Sequence, residues 1–265
     1  MTPLSDKRIL VTRPRAQAAD LGDKLSALGA QPILFPTIEI APLDDYSALD
    51  RAIASLDKYH WVIFTSVNGV EAFWERLNLL GLQDPTGLPC KVAAIGPVTA
   101  RALQKNGVRT ELIPNEYVAE TILEKIGDVK DKWILLPHAD IAREALAIEL
   151  FNRGAVVHDV AAYRTLPTAP DSNGLAELRR GVDVITFTSS STVRNFLTLI
   201  GPDIILSNTL IACIGPITAQ TAREVGLSVN VMAKEYTIAG LVVALVEHFA
   251  HLENQYDTHY QISNH

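Results

Sequence analysis

The side chains of this sequence that could do chemistry are mostly hydroxyls and cations placed just behind short apolar runs. Thr65-Ser66 follows Trp61-Val62-Ile63-Phe64, Thr188-Ser189-Ser190 follows Val184-Ile185-Thr186-Phe187, and Arg13 follows Ile9-Leu10-Val11-Thr12. His138 and Arg143 follow Trp133-Ile134-Leu135-Leu136. A stretch used twice adds two more hydroxyls: Ile95-Gly96-Pro97-Val98-Thr99-Ala100 and Ile214-Gly215-Pro216-Ile217-Thr218-Ala219 differ only at Val98 against Ile217. Each copy follows an apolar run and precedes a helical pattern that stops at Gly107 or Gly226, so each reads as strand, tight turn, helix. In that reading glycine allows the turn, proline suits the first helical position, and threonine can cap the amides behind it. Such turns leave N–H groups and the positive end of a helix facing outward beyond the strand, which favours an anionic ligand. Strand, Gly-Pro, helix is also a common connection, and it is the duplication at equivalent places that argues for a shared role.

The elements that must position these groups alternate along the chain. Arg8 to Thr12 is a buried-type strand, and Leu21, Leu25 and Leu28 mark a helix closing at Gly29. Ile33-Leu34-Phe35 is a second strand, and Pro36, Pro42 and Asp44-Asp45 make residues 36–46 read as a connector. Strands at 61–64, 92–94, 110–114, 133–136 and 156–160 follow, separated by helical patterns; Pro167 and Pro170 then mark a second connector over 161–170. The remainder repeats the plan, with strands at 184–187, 211–213 and 228–232 and a helix from Thr237 to about Phe249 before a polar tail. Laid on itself, the chain shows a repeat of roughly 120 residues, in which Phe64-Thr65-Ser66 matches Phe187-Thr188-Ser189 and Gly29-Ala30 matches Gly154-Ala155. Ten short apolar strands alternating with helices predict an α/β protein with two five-stranded parallel sheets covered on both faces. Each copy is broken by its connector after the second strand. Two proline-bearing connectors at matching places favour an exchange, in which residues 1–35 and 171–265 form a discontinuous first domain and residues 47–160 an inserted second one. Two consecutive domains are the alternative.

Bulk properties exclude several function classes. With 48% hydrophobic and 20% charged residues in 265, the chain is that of an ordinary globular protein large enough for two cores. Cys90 and Cys213 stand far apart with no CxxC spacing, so neither a disulfide framework nor a cysteine metal site is expected, in keeping with a reducing cytoplasm. The first residues carry no apolar h-region and no eighteen-residue apolar run occurs, so export and membrane association are not expected. A net charge of −7 argues against nucleic acid as partner. The GxGxxG, GxxxxGK[ST], HExxH and GxSxG patterns are missing. His251, His259 and His265 show no metal-ligand spacing.

These features together resemble the uroporphyrinogen-III synthase family, over essentially residues 8–250. The resemblance is carried by Val11-Thr12-Arg13-Pro14 with Pro36-Thr37-Ile38-Glu39, by Phe64-Thr65-Ser66, by the two Gly-Pro-x-Thr-Ala turns, by Tyr163-Arg164-Thr165 and by Phe187-Thr188-Ser189-Ser190. It implies two flavodoxin-like domains, one inserted in the other and joined by a two-stranded linker, which matches the exchanged reading. It also implies a cofactor-free enzyme, acting as a monomer, that closes the linear tetrapyrrole hydroxymethylbilane into uroporphyrinogen III, losing water and inverting the last ring through a spiro intermediate. That substrate carries eight carboxylates, and ligands of open α/β sheets bind beyond the carboxyl ends of the strands. Arg13, Thr65, Ser66, Thr99, Arg143, Thr188, Ser189, Ser190 and Thr218 are then the expected substrate-binding residues. Tyr163 matches the family's tyrosine and is the catalytic candidate, a phenol able to donate to the departing hydroxyl. Simpler structural roles compete at most of these positions: helix capping for Ser66 and Ser189, surface charge for Arg13 and Arg143, ring packing for Tyr163, Tyr117 and Tyr236, and hinge hydrogen bonding for Glu39. His138 stands where Arg13 stands in the other copy, so a duplicated cationic role is not symmetric. The alternatives from other classes are a non-catalytic, hinge-closing anion-binding protein and a phosphosugar or nucleotide enzyme on the same fold.

Overall fold

The computed structural model describes residues 2–82, 87–114, 119–141, 145–202, 204, 206 and 208–262. In chain order the elements are β1 (Arg8–Val11), α1 (Arg15–Ala27), β2 (Gln31–Leu34), β3 (Ile38–Ala41), α2 (Ser47–Ile53), β4 (Trp61–Phe64), α3 (Val67–Leu79), β5 (Lys91–Ala94), α4 (Pro97–Lys105) and α5 (Ala119–Lys125). The chain continues with β6 (Trp133–Ala139), α6 (Ala145–Asn152), β7 (Val156–Pro167), α7 (Ser172–Arg179), β8 (Val184–Phe187), α8 (Ser190–Ile200), β9 (Leu210–Cys213), α9 (Pro216–Glu224), β10 (Val229–Met232) and α10 (Ile238–Ile262).

The chain forms two compact units, Met1–Glu39 with Leu166–His265, and Ile40–Thr165. In the first, the strand order is β10-β9-β8-β1-β2, the 2-1-3-4-5 order of flavodoxin-like sheets. Parallel pairing of β1 with β8 puts Ile9 opposite Val184 and Val11 opposite Thr186, so strands from the two ends of the chain share one ladder. In the second unit the order is β3-β7-β6-β4-β5. Counted from β6, the run β7-β6-β4-β5 repeats the flavodoxin order, because the chain enters this copy of the fold midway. The passages between units lie on β3 and β7, which are neighbours in the second sheet. The fold is therefore α/β, with one flavodoxin-like unit inserted in the other through a two-stranded linker.

Each sheet buries both faces, as continuous apolar strands require. In the first unit Ile9 and Val11 face Leu21, Leu25 and Leu245, while Leu10, Ile185 and Phe187 face Phe35 and Phe196. In the second, Val62 and Phe64 pack with Val70 and Phe73, while Trp61 and Ile63 pack with Ile122 and Leu146. Three buried threonines join the first unit's strands near their carboxyl ends. Thr12 Oγ1 donates to the Thr186 carbonyl at 2.7 Å, Thr186 Oγ1 to the Leu10 carbonyl at 2.8 Å, and Thr37 Oγ1 to the Thr12 and Thr192 carbonyls at 3.2 Å each.

Three elements depart from the sequence reading. Residues 38–41, inside the expected connector, form β3: Ile38, Glu39 and Ile40 alternate, and Pro42 ends the run because it cannot donate to a ladder. Residues 110–113 make only one bridge, Ala93 with Leu112. There the Glu111 side chain takes the Val92 N–H at 2.7 Å, and Pro114 has no N–H to extend the pairing. Finally α10 runs through the expected polar tail to Ile262.

Three helices start alike, with a polar N-cap and a glycine three residues on. Ser66 accepts from Gly69 N at 3.0 Å, Asp171 from Gly174 N at 2.8 Å, and Thr237 from Gly240 N at 2.9 Å. The glycine is required by close approach. A Cβ on Gly174 would lie 2.5 Å from the carbonyl oxygen of Leu34, the last residue of β2, and 2.8 Å from the ring of Phe35 just after it. Gly174→Ala therefore forces α7 off the sheet, and we expect a loss of about 1–3 kcal/mol or more in urea unfolding, as for overpacked sites. A variant with an unchanged denaturation midpoint would contradict this packing.

Candidate functional site

In an α/β unit the site-bearing residues are those just past the carboxyl ends of the strands. In the Ile40–Thr165 unit that edge brings Ser66 and Tyr163 together. Ser66 is the N-cap of α3, in extended conformation directly behind β4, and its Oγ lies 3.2 Å from the Tyr163 hydroxyl. Tyr163 lies on β7 opposite Ala139, the last residue of β6, and is 8% exposed. Burial raises its pKa above 10.0, opposed by hydrogen bonds to Ser66 and Asn68 and aided by the negative charge of Asp140. The phenol keeps its proton at neutral pH and can donate it.

Arg164, next to Tyr163, turns the other way. Its guanidinium holds both Asp44 oxygens at 2.6 and 3.0 Å and the Pro42 carbonyl at 2.9 Å, which fixes the segment after β3 beside β7. Thr65 is half-buried beside Ser66. Thr99 is 4% exposed, inside the first turn of α4. Arg143 and Tyr117 lie outside the described residues.

His138, on β6, has Nε2 2.6 Å from Asp159 Oδ1 on β7, a contact that is an ion pair when the ring carries its second proton. Its Nδ1 meets the Ala139 carbonyl. Burial works against the charged ring, but Asp159, the Ala139 carbonyl and Asp140 outweigh it and raise the pKa above 6.5. A raised folded-state pKa gives stability that is complete below the unfolded value of 6.5 and is lost as pH rises through the folded value. Asp159→Asn is accordingly expected to lower the melting temperature at pH 5.5 and to approach the parent as pH rises to 9. A gap that widens with pH would contradict the pairing.

In the other unit, Ser189 is the N-cap of α8 within a capping box: Thr192 N donates to Ser189 Oγ at 3.2 Å, and Ser189 N donates to Thr192 Oγ1 at 3.3 Å. Ser191 Oγ is 2.9 Å from Ser189 Oγ. Thr188 is half-buried just ahead of this cap. Ser190 is turned toward α9, its Oγ 2.8 Å from Thr221 Oγ1, and so ties two helices together. Arg13, behind β1, donates to Gln17 at 3.2 Å, while its Nε is buried with no partner. Burial lowers its pKa, with Asp20 opposing, yet a guanidinium stays charged near neutrality.

The two Gly-Pro turns hold Pro97 and Pro216 at the first helical position, as their sequence implies, and the N-caps Gly96 and Gly215 bring no side-chain cap. Both threonines lie inside the helix, with Thr218 4% exposed, and neither is the N-cap. The glycines are extended (φ −166° and −177°), a conformation open to any residue. Gly215 instead leaves room for the Tyr236 ring, which stands 3.1 Å from where a Cβ would sit. Tyr236 thus packs on the turn. Glu39 is exposed on β3. Among the described residues no group of His, Cys, Asp and Glu could hold a metal ion, and no helix is long and apolar enough to cross a membrane.

Sequence reasoning overlooked Asn68, Asp140 and Asp159, which surround Tyr163 and His138. The signal for Asn68 was present in Ser66-Val67-Asn68-Gly69, a cap followed by glycine. Nothing in the sequence marked the two aspartates.

Comparison with known proteins agrees with this arrangement. A family model described as uroporphyrinogen-III synthase HemD matches residues 19–243. A uroporphyrinogen-III synthase of Synechococcus elongatus is 36% identical over 253 residues, covering 92% of this chain and 96% of that one. Among solved structures, a mutant uroporphyrinogen III synthase of Thermus thermophilus matches with a TM-score of 0.66 at 20% identity, covering 92% of this chain and 99% of that one. The synthetase of Helicobacter pylori matches with 0.57 at 18% identity, covering 89% and 96%. These two similarities carry the fold, and the family follows from the sequence matches: the chain belongs to the uroporphyrinogen-III synthases.

Proposed function

We propose that, in this chain, Tyr163 is the proton donor of the reaction and that the hydroxyls, helix starts and Arg13 at the carboxyl edges hold the substrate's carboxylates. The reaction is cyclisation of hydroxymethylbilane to uroporphyrinogen III, with loss of water and inversion of ring D. The terminal hydroxyl needs a proton to depart as water, and its departure leaves an azafulvenium cation. The observation that supports Tyr163 is its buried, protonated hydroxyl 3.2 Å from Ser66 Oγ. Ser66 Oγ already accepts from Gly69 N, so its own hydrogen is free to point at the Tyr163 oxygen. The phenol proton is then left for the substrate. Ring closure later releases a proton, which can restore the phenol. Holding a flexible chain in the spiro geometry is an entropic contribution spread over many contacts.

Carboxylate binding at the capped starts of α3 and α8, at the Gly-Pro starts of α4 and α9, and by Arg13 and Arg143, rests on helix-end electrostatics and cationic hydrogen bonding. The working unit in this reading is a single chain in the cytoplasm with no cofactor. The test is to supply fresh hydroxymethylbilane and to identify the porphyrin isomer after oxidation. The inverted isomer supports the reading, and accumulation of the symmetric isomer alone overturns it.

A further inference from the structure

We propose that Asp140 is a positioning residue for Tyr163, acting by locking a β-bulge in β7; the proposal rests on the reading of Tyr163 as proton donor. Along β7, Val157 packs on one face of the sheet and Val160 and Ala162 on the other, as strand alternation demands. Strict alternation would send Tyr163 back to the Val157 face. It does not go there: Tyr163 shares the cluster of Ala162, Phe64 and Val70. The register shows why. His138 pairs with Ala161 but Ala139 pairs with Tyr163, so Ala162 is an extra residue. A bulge of this kind turns the following side chain over, and here it delivers the phenol to the face where α3 and its Ser66 cap lie.

A bulge breaks the ladder and must be held by other bonds. Asp140, just past the end of β6, supplies them at the turned residue and just beyond it. Its N–H donates to the Tyr163 carbonyl at 2.9 Å, and its Oδ1 accepts from Thr165 N at 3.0 Å. The same oxygen accepts from Ile141 N at 2.9 Å, which fixes the side chain's direction. Asp140 is exposed, yet its carboxylate accepts from two backbone amides.

The experiment compares steady-state kinetics of the full chain for the parent, Asp140→Ala, Asp140→Asn, Tyr163→Phe and the double variant Asp140→Ala with Tyr163→Phe. It is joined by NMR of ring-labelled tyrosine, with the Tyr163 signal assigned by its loss in Tyr163→Phe. Asp140→Ala should lower kcat about three- to tenfold with KM within about twofold, since small misplacement of a reacting group is costly in rate. Asp140→Asn keeps an acceptor oxygen and should recover most of the rate, and its Tyr163 signal should stay near the parent's while that of Asp140→Ala moves. In the Tyr163→Phe background Asp140→Ala should add no further loss. An equal loss in both backgrounds, or an Asn variant as slow as Ala, overturns the positioning role and leaves the donor reading standing. If Tyr163→Phe itself keeps the parent kcat, the donor reading fails, and an unmoved Tyr163 signal in Asp140→Ala then overturns the positioning role separately.

Discussion

Tyr163→Phe should lower kcat about tenfold while leaving affinity for uroporphyrinogen III within about twofold, less than the roughly hundredfold or more that a general acid typically supplies. The ring stays, so the packing with Ala162 and Phe64 is retained, and only the hydroxyl and its bond to Ser66 are removed. A loss confined to turnover separates proton donation from ring packing, because a packing role would be almost fully served by phenylalanine. The effect is modest because bending the tetrapyrrole is work shared by the whole binding surface. Stopped assays on fresh substrate with isomer analysis read it directly. Unchanged turnover would remove the proposed role of the phenol.

Phe64→Ala should cost about 3–5 kcal/mol of stability in urea unfolding, the range for large aromatic truncations in a closed core. Phe64 is fully buried, edge-on to Phe73 at 5.3 Å and tilted against Trp74 at 5.8 Å. It also ends β4, its carbonyl accepting from Ile95 N at 2.9 Å, directly ahead of Thr65-Ser66. The cavity would lie under the cap that meets Tyr163, so activity should fall at temperatures where the protein is still folded. A loss below about 1 kcal/mol would mean that the aromatic group closes over the gap.

Much of the architecture was legible because parallel strands buried on both faces read as continuous apolar runs, and because the fold is written twice. The exchange of strands could be inferred from Pro36, Pro42, Pro167 and Pro170 at matching breaks. What the breaks hid was β3, since residues bracketed by prolines look like irregular chain even when they carry an alternating Ile-Glu-Ile. Caps at Ser66 and Ser189 were legible, being local bonds over three residues. Gly215 was assigned a turn it does not need, because its true neighbour, Tyr236, is distant in sequence. The bulge at Ala162 left no trace either: Ala161-Ala162-Tyr163 holds no glycine, and the bonds that stabilise it come from Asp140, more than twenty residues earlier in the chain. Long-range pairings of this sort, such as His138 with Asp159, are what a linear reading misses.

The ladder between β1 and β8 carries a consequence for how the polypeptide is made. Arg8 and its partner Asp183 are 175 residues apart, so at ribosomal speeds roughly ten to thirty-five seconds pass between their emergence. During that interval the nascent β1–β2 pair has an open flank, while the inserted unit already has all its strands and can close first. The amino-terminal strands must wait for a neighbour that is not yet synthesised, which makes that flank the place where a chaperone or a rival edge would engage the newborn chain.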